Sequence, residues 1–201
     1  MKRILAIAIA VAATLAVPAT ASAATTISVL DDRYSPQVAG EELAAGPTFD
    51  WKWDGASGTT LDRHDVVSDN GLFSSGDPVT SGSFSVNASA GTFPYHCTVH
   101  DLEGMVGTVS VTPVVTDITS KSFRVTWGND GTTTGNKFDV KYRKGSGKFK
   151  SWLKKTNKTS RVFGKKKKPI KVKPGQSYDI EVRSTKGKHK SGYSPPLPAQ
   201  T

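Results

Sequence analysis

Four side chains of this 201-residue chain have the types and spacing for metal chemistry: His64, Cys97, His100 and Met105. Cys97 is the only cysteine, within Tyr95-His96-Cys97-Thr98-Val99-His100-Asp101-Leu102-Glu103-Gly104-Met105, a Cys-x2-His-x4-Met spacing. His64 lies upstream in an apolar, strand-like run beside Val66 and Val67. Two imidazoles, one thiolate and one weak thioether form the donor set of a blue copper electron-transfer site. The set predicts one type 1 copper per chain and one-electron redox, not an enzyme. Zinc is the competing metal, but it prefers four strong ligands, and a thioether is a poor one. Taken singly, Met105 reads as core filling, Cys97 as a small buried hydrophobe and His64 as a satisfied strand histidine; only their conjunction points to a metal. His96 neighbours Cys97 on a strand, so it should face the opposite side. A multicopper oxidase or nitrite reductase needs more histidine sites than His64, His96, His100 and His189 provide.

The elements that must hold these residues are strands. Cys97 is expected to end one strand and Met105 to begin the next, with His100 in the loop between, while His64 arrives from a separate strand. Period-2 alternation runs through Thr26-Ile27-Ser28-Val29, Phe49-Asp50-Trp51-Lys52-Trp53, Phe84-Ser85-Val86 and Val106 to Val111. It returns in Phe123 to Trp127, Phe138 to Tyr142 and Tyr178 to Val182. Short alternating runs separated by Gly, Ser, Asn and Asp predict an all-β chain of sandwiches or barrels. A rigid β scaffold suits a redox metal, because little ligand movement accompanies the change of oxidation state.

Residues 1–23 read as a secretory signal. Lys2 and Arg3 precede an apolar run from Ile4 to Val17, and Ala21-Ser22-Ala23 has the form of a cleavage site. The expected location is therefore secreted or extracytoplasmic, in a cell-envelope or periplasm-like compartment, with no transmembrane segment after cleavage. A lone cysteine in an oxidising compartment has no internal disulfide partner, which sharpens its reading as a metal ligand.

Charge divides the rest at Val111-Thr112-Pro113-Val114. Residues 24–112 hold 12 acidic and three basic side chains, a net of −9; residues 113–201 hold five acidic and 22 basic ones, a net of +17. The sequence pI of about 9.7 averages two unlike halves, whose opposite charges favour docking. Pro113 cannot donate a ladder hydrogen bond and suits a strand end or a short linker.

Residues 25–112 resemble a cupredoxin of the plastocyanin–pseudoazurin type. The likeness runs in order through Tyr34-Ser35-Pro36, Gly46 to Trp51, His64-Asp65-Val66-Val67, Phe73 to Gly76, Gly91 to Cys97 and Gly104 to Val109. It implies a Greek-key β-sandwich with copper at one end and His100 as the ligand nearest the surface, the port for electrons. Three positions depart from the pattern. Val99 stands where plastocyanins often carry proline, and Asp65 where many relatives carry asparagine, serine or threonine. Asp101 and Glu103 put negative charge where relatives often show an apolar patch.

Residues 113–201 resemble a fibronectin type III module, a second β-sandwich. Trp127, Tyr142, Val172-Lys173-Pro174-Gly175-Gln176-Ser177-Tyr178 and Gly192-Tyr193-Ser194-Pro195 carry the likeness. The turn before Tyr178 resembles a tyrosine corner, whose hydroxyl bonds back to the backbone. The lysine clusters Lys165, Lys166, Lys167, Lys168 and Lys186, Lys188, Lys190 are the candidate anion-binding residues. Charge runs are commonly solvated faces, yet +17 exceeds what solubility needs and should attract polyanions in a salt-dependent way. Anionic cell-envelope polymers and lipid headgroups are the expected partners, besides a redox protein. Sequence-specific nucleic-acid binding is not expected, since no recognition motif is present. His189, amid lysines, reads as a surface histidine. The sequence thus predicts an exported copper electron carrier with a basic tether. The alternatives are a copper buffer or delivery protein and a non-redox adhesion or interaction protein.

Overall fold

The computed structural model describes residues 24–43, 47–53, 62–129, 131–164 and 170–201. The expected signal segment and Lys165 to Lys168 lie outside the described residues. Among the described residues no helix is long and apolar enough to cross a membrane.

The chain is all-β. In the first half the strands are β1 (Thr25–Val29), β2 (Tyr34–Ser35), β3 (Val38–Glu42), β4 (Thr48–Trp53), β5 (Val67–Ser68), β6 (Gly82–Asn87), β7 (Gly91–His96) and β8 (Val106–Thr112). They form two sheets, β2-β1-β4-β6 and β3-β8-β7-β5. Each sheet contains one parallel pair, β1 with β4 and β3 with β8, so the chain crosses between sheets rather than running as a meander. Alternation sends Ile27, Val29, Phe49, Trp51 and Trp53 inward from one sheet, and Phe93, Tyr95, Val109 and Val111 from the other. The Trp51 and Tyr95 rings meet edge to face at 5.2 Å across this core. Such aromatic pairs add about 0.5–1.5 kcal/mol beyond their buried area.

In the second half, β9 (Val114–Thr116), β10 (Phe123–Thr126), β11 (Lys137–Lys144), β12 (Lys150–Thr156), β13 (Ser160–Phe163), β14 (Ser177–Lys186), β15 (His189–Lys190) and β16 (Leu197–Gln200) follow. Their sheets are β13-β10-β9 and β12-β11-β14-β15, with β16 also on β14. Trp127 is fully buried between them, and its indole N–H donates to the Lys158 carbonyl at 2.7 Å. The Tyr178 hydroxyl accepts from the Lys173 amide at 3.3 Å, the back-bond expected of a tyrosine corner. Pro113 is buried between β8 and β9.

The halves are joined along an edge. β5 covers only Tyr95 and His96 of β7, which leaves the start of β7 unpaired on that side. The β15–β16 connection fills the gap: Thr92 N–H donates to the Gly192 carbonyl at 3.1 Å, and Gly192 N–H returns a bond at 2.8 Å. Thr92 Oγ1 donates to the Tyr193 carbonyl at 2.8 Å. Ala90, in the turn before β7, is buried in the core of the second half, and its amide donates to the Trp127 carbonyl. Capping an open strand edge removes a template for unwanted pairing. His189 belongs to this junction and is not a free surface histidine. It is half-buried, and its Nδ1 lies 2.8 Å from the Asn70 carbonyl oxygen.

Gly107, on β8, sits directly opposite Tyr95. A Cβ there would lie 2.4 Å from the phenol ring, so the aromatic packs on bare backbone. Gly107→Val should lower stability by roughly 1–3 kcal/mol, the usual cost of overpacking, and thermal unfolding of the metal-free protein reads it as a lowered midpoint.

Candidate metal centre

The site is built at one end of the first sandwich. β7 ends at His96, so Cys97 leaves the strand as the chain turns. His100 caps a short 3-10 turn over Asp101–Glu103, and Gly104 closes it at φ 87°, a left-handed conformation suited to glycine. Met105 then leads into β8. The Cys97 amide donates to the Met105 carbonyl at 3.1 Å, and the Met105 amide donates to the His100 carbonyl at 3.1 Å. These bonds tie both ends of the loop together. His64 comes from an isolated bridge rather than a strand, held by reciprocal 2.9 Å bonds with Val79.

His64, Cys97 and His100 converge, with one candidate donor atom from each, all within 4.8 Å of one another. The Cys97 Sγ lies 3.8 Å from His64 Nδ1 and 3.6 Å from His100 Nδ1. Donors roughly 2.0–2.3 Å from a common ion stand at about such separations. Met105 is fully buried in the same core cluster as Cys97. His96 is outside the group: its Nδ1 pairs with Asp69 Oδ1 at 2.7 Å, consistent with a side chain on the opposite face.

The electrostatics suit a cation. Burial pushes the Cys97 thiol above its ordinary value, while the amides of Asp65, Val99 and His100, which face the sulfur, pull in the other direction. Burial, and then the neighbouring His100, hold His64 below the ordinary imidazole range, so its ring is neutral and has a lone pair to give. The two imidazole Nδ1 atoms and the sulfur thus stand together as three potential donors to one ion. His64 Nε2 is buried without a partner among the described residues. Soft sulfur with two imidazoles is a set that transition metals bind well.

Two supporting residues carry no obvious sequence signal for this role. Asp65 is buried, and its carboxylate accepts from the Thr98 amide at 2.7 Å and the Thr98 hydroxyl at 2.6 Å. Its carbonyl accepts from the Tyr34 hydroxyl at 2.6 Å. Asp65 thus pins the His64 segment to the Cys97 loop, while Tyr34 pins Asp65. Outside, His100 is 8% exposed and Leu102 is 97% exposed, flanked by Asp101 and Glu103. Of the candidate lysines, Lys186, Lys188 and Lys190 lie on the β14–β15 hairpin, far in sequence from the metal-ligating group.

Parts of the chain superpose on solved structures. The oxidized form of plastocyanin from Dryopteris crassirhizoma matches at 20% identity, covering 44% of this chain and 100% of that one, with a TM-score of 0.34. A human fourth FNIII domain matches at 26% identity, covering 44% and 73%, with a TM-score of 0.36. The FN3 domain of human collagen XX matches at 16% identity, covering 45% and 86%, with a TM-score of 0.34. No protein-family profile and no curated protein matches the sequence.

Two outcomes follow from this geometry. Asp65→Ala strands two Thr98 donors and should cost roughly 1.5–3 kcal/mol, read by thermal unfolding of the metal-free protein. Metal uptake at pH 8 should release about one proton per ion, from Cys97 with its raised thiol value, because only the thiolate ligates. Affinity should therefore rise with pH up to that value, which calorimetry in buffers of different ionisation enthalpy checks.

Proposed function

We propose that this chain is an exported type 1 copper protein, a one-electron carrier whose basic second half tethers it to an anionic surface or partner. The observation that carries the reading is the pair of Nδ1 atoms, from His64 and His100, facing the buried Cys97 sulfur. Copper held by His64, Cys97, His100 and Met105 supplies a centre that gains and loses one electron.

The rest is the work of the chain. Cys97 offers a soft thiolate, steadied by three amides. His64 and His100 offer nitrogen donors, and Met105 would add a weak thioether donor that helps set the potential. The cross-loop bonds of Cys97, His100 and Met105, with the Asp65–Thr98 clamp, keep these groups in place whichever charge the site carries. Little rearrangement is what fast electron transfer requires. His100, the ligand residue with an exposed margin, is the port.

Repeated reduction by ascorbate and reoxidation by ferricyanide, in the presence of a Cu(I) chelator, tests the carrier reading. A carrier keeps its copper through every cycle. Surrender of the metal to the chelator at the first reduction would instead favour copper delivery.

A further inference from the structure

The described acidic residues of the second half are unevenly placed. Asp139, Asp179 and Glu181 alternate with inward-facing residues on β11 and β14, so they share the outer face of one sheet. There they are matched by bases. Arg183 pairs with Asp139 at 2.8 Å, Arg143 pairs with Asp179 at 2.6 Å, and Glu181 lies in the field of Lys141 and Arg143. Arg124 pairs with Asp117 elsewhere.

From residue 144 to residue 178 the chain has no Asp or Glu and 13 Lys or Arg. Nine of these are described, namely Lys144, Lys148, Lys150, Lys154, Lys155, Lys158, Arg161, Lys171 and Lys173, and all nine are exposed. Among the described residues none of the nine side chains enters an ion pair, whereas Arg124, Arg143 and Arg183 all do. Lys121, Lys137, Lys141, Lys186, Lys188 and Lys190 enter none either, but residues 144–178 lie within the longest acid-free run of the second half, so their bases have no acid beside them in sequence. Five of the nine lie on β12, on β13 or between them. These strands are the outermost of their sheets, and Trp152 of β12 meets Phe163 of β13 edge-on at 4.9 Å. The two edges together make one basic strip. Lysines on an edge strand also guard against edge-to-edge pairing. That purpose is already served by the bulge at Lys155, φ 48°, and does not call for unmatched bases on the flanking turns.

We propose that this strip is a docking surface for a linear polyol-phosphate polymer. The proposal rests on the tether reading and names the tether's residues and partner. Eight of the nine bases are lysines, which meet phosphate as point charges without demanding planar, bidentate geometry. A stretch of strand runs about 3.3 Å per residue, so the strip follows a chain rather than enclosing a small ion. Single-stranded nucleic acid is disfavoured because base stacking needs open aromatic faces. Trp152 packs against Trp127 and Phe163, and Phe149 lies beneath Arg143. A membrane surface is disfavoured because none of the exposed large apolar residues lies in this stretch. The second lysine cluster has a different setting, since Lys186, Lys188 and Lys190 flank His189 at the junction with the acidic half.

The test uses the full chain and labelled poly(glycerol phosphate), with duplex DNA and phosphatidylglycerol vesicles as competing probes at equal charge concentration. The strip variant Lys150→Gln/Lys154→Gln/Lys158→Gln is compared with Lys137→Gln/Lys186→Gln/Lys188→Gln, which removes the same charge elsewhere. The proposal expects binding that weakens with salt, prefers poly(glycerol phosphate), and falls at least about tenfold in the strip variant but far less in the control. Equal losses in both variants would overturn the strip while leaving the tether. Preference for DNA or vesicles would overturn the named partner. Binding to none of the three would overturn both the strip and the tether.

Discussion

The structure turns on a buried sulfur atom that faces two imidazole nitrogens. Burial disfavours the thiolate in a purely protein group, and two imidazole nitrogens stand beside it. A bound cation would offset that penalty. It replaces the proton on sulfur and takes the nitrogen lone pairs, and the three amides facing the sulfur already favour the charged form. Most of the first sandwich can be understood as support for that triangle. The Cys97–Met105 loop is bonded across its mouth, Asp65 ties it to the His64 segment, and the Tyr34, Trp51 and Tyr95 rings fill the core underneath.

The second half contributes differently. It closes the open edge of β7, the strand that delivers Cys97, through Thr92 and Gly192, and it buries Ala90 within its own core. The acidic and basic halves are therefore joined by backbone bonds and apolar packing, not by opposite charge alone. This leaves most of the positive charge free. Arg143 and Arg183 are matched on one sheet face, and five bases with no ion pair lie along the β12–β13 edge. Under the proposed reading, a partner held by the basic strip would also help orient the His100 end, because backbone bonds join the two halves.

Much of this was legible in the sequence. Every period-2 run became a strand, because alternation fixes which face is buried. The Cys97, His100 and Met105 spacing marked a strand–loop–strand, and the structure adds that His64 reaches it from an isolated bridge. Asp65 was visible only as a departure from the family pattern. Its clamp on Thr98 spans 33 positions, and no local pattern encodes such a contact. His189 was misread for the same reason: lysines surround it in sequence, while its partner, Asn70, is 119 residues away. The charge split was plain from composition. The placement of acid-free residues along the β12–β13 edge was not, since it depends on which strands are sheet edges.

The most direct test of the account is the visible absorption spectrum of the full chain with one equivalent of Cu(II), beside Cys97→Ser. The account predicts an intense thiolate-to-copper band in the unaltered protein, bleached by ascorbate, restored by an oxidant and absent from Cys97→Ser. A copper-loaded protein without that band, or a band that survives loss of the Cys97 sulfur, would contradict it.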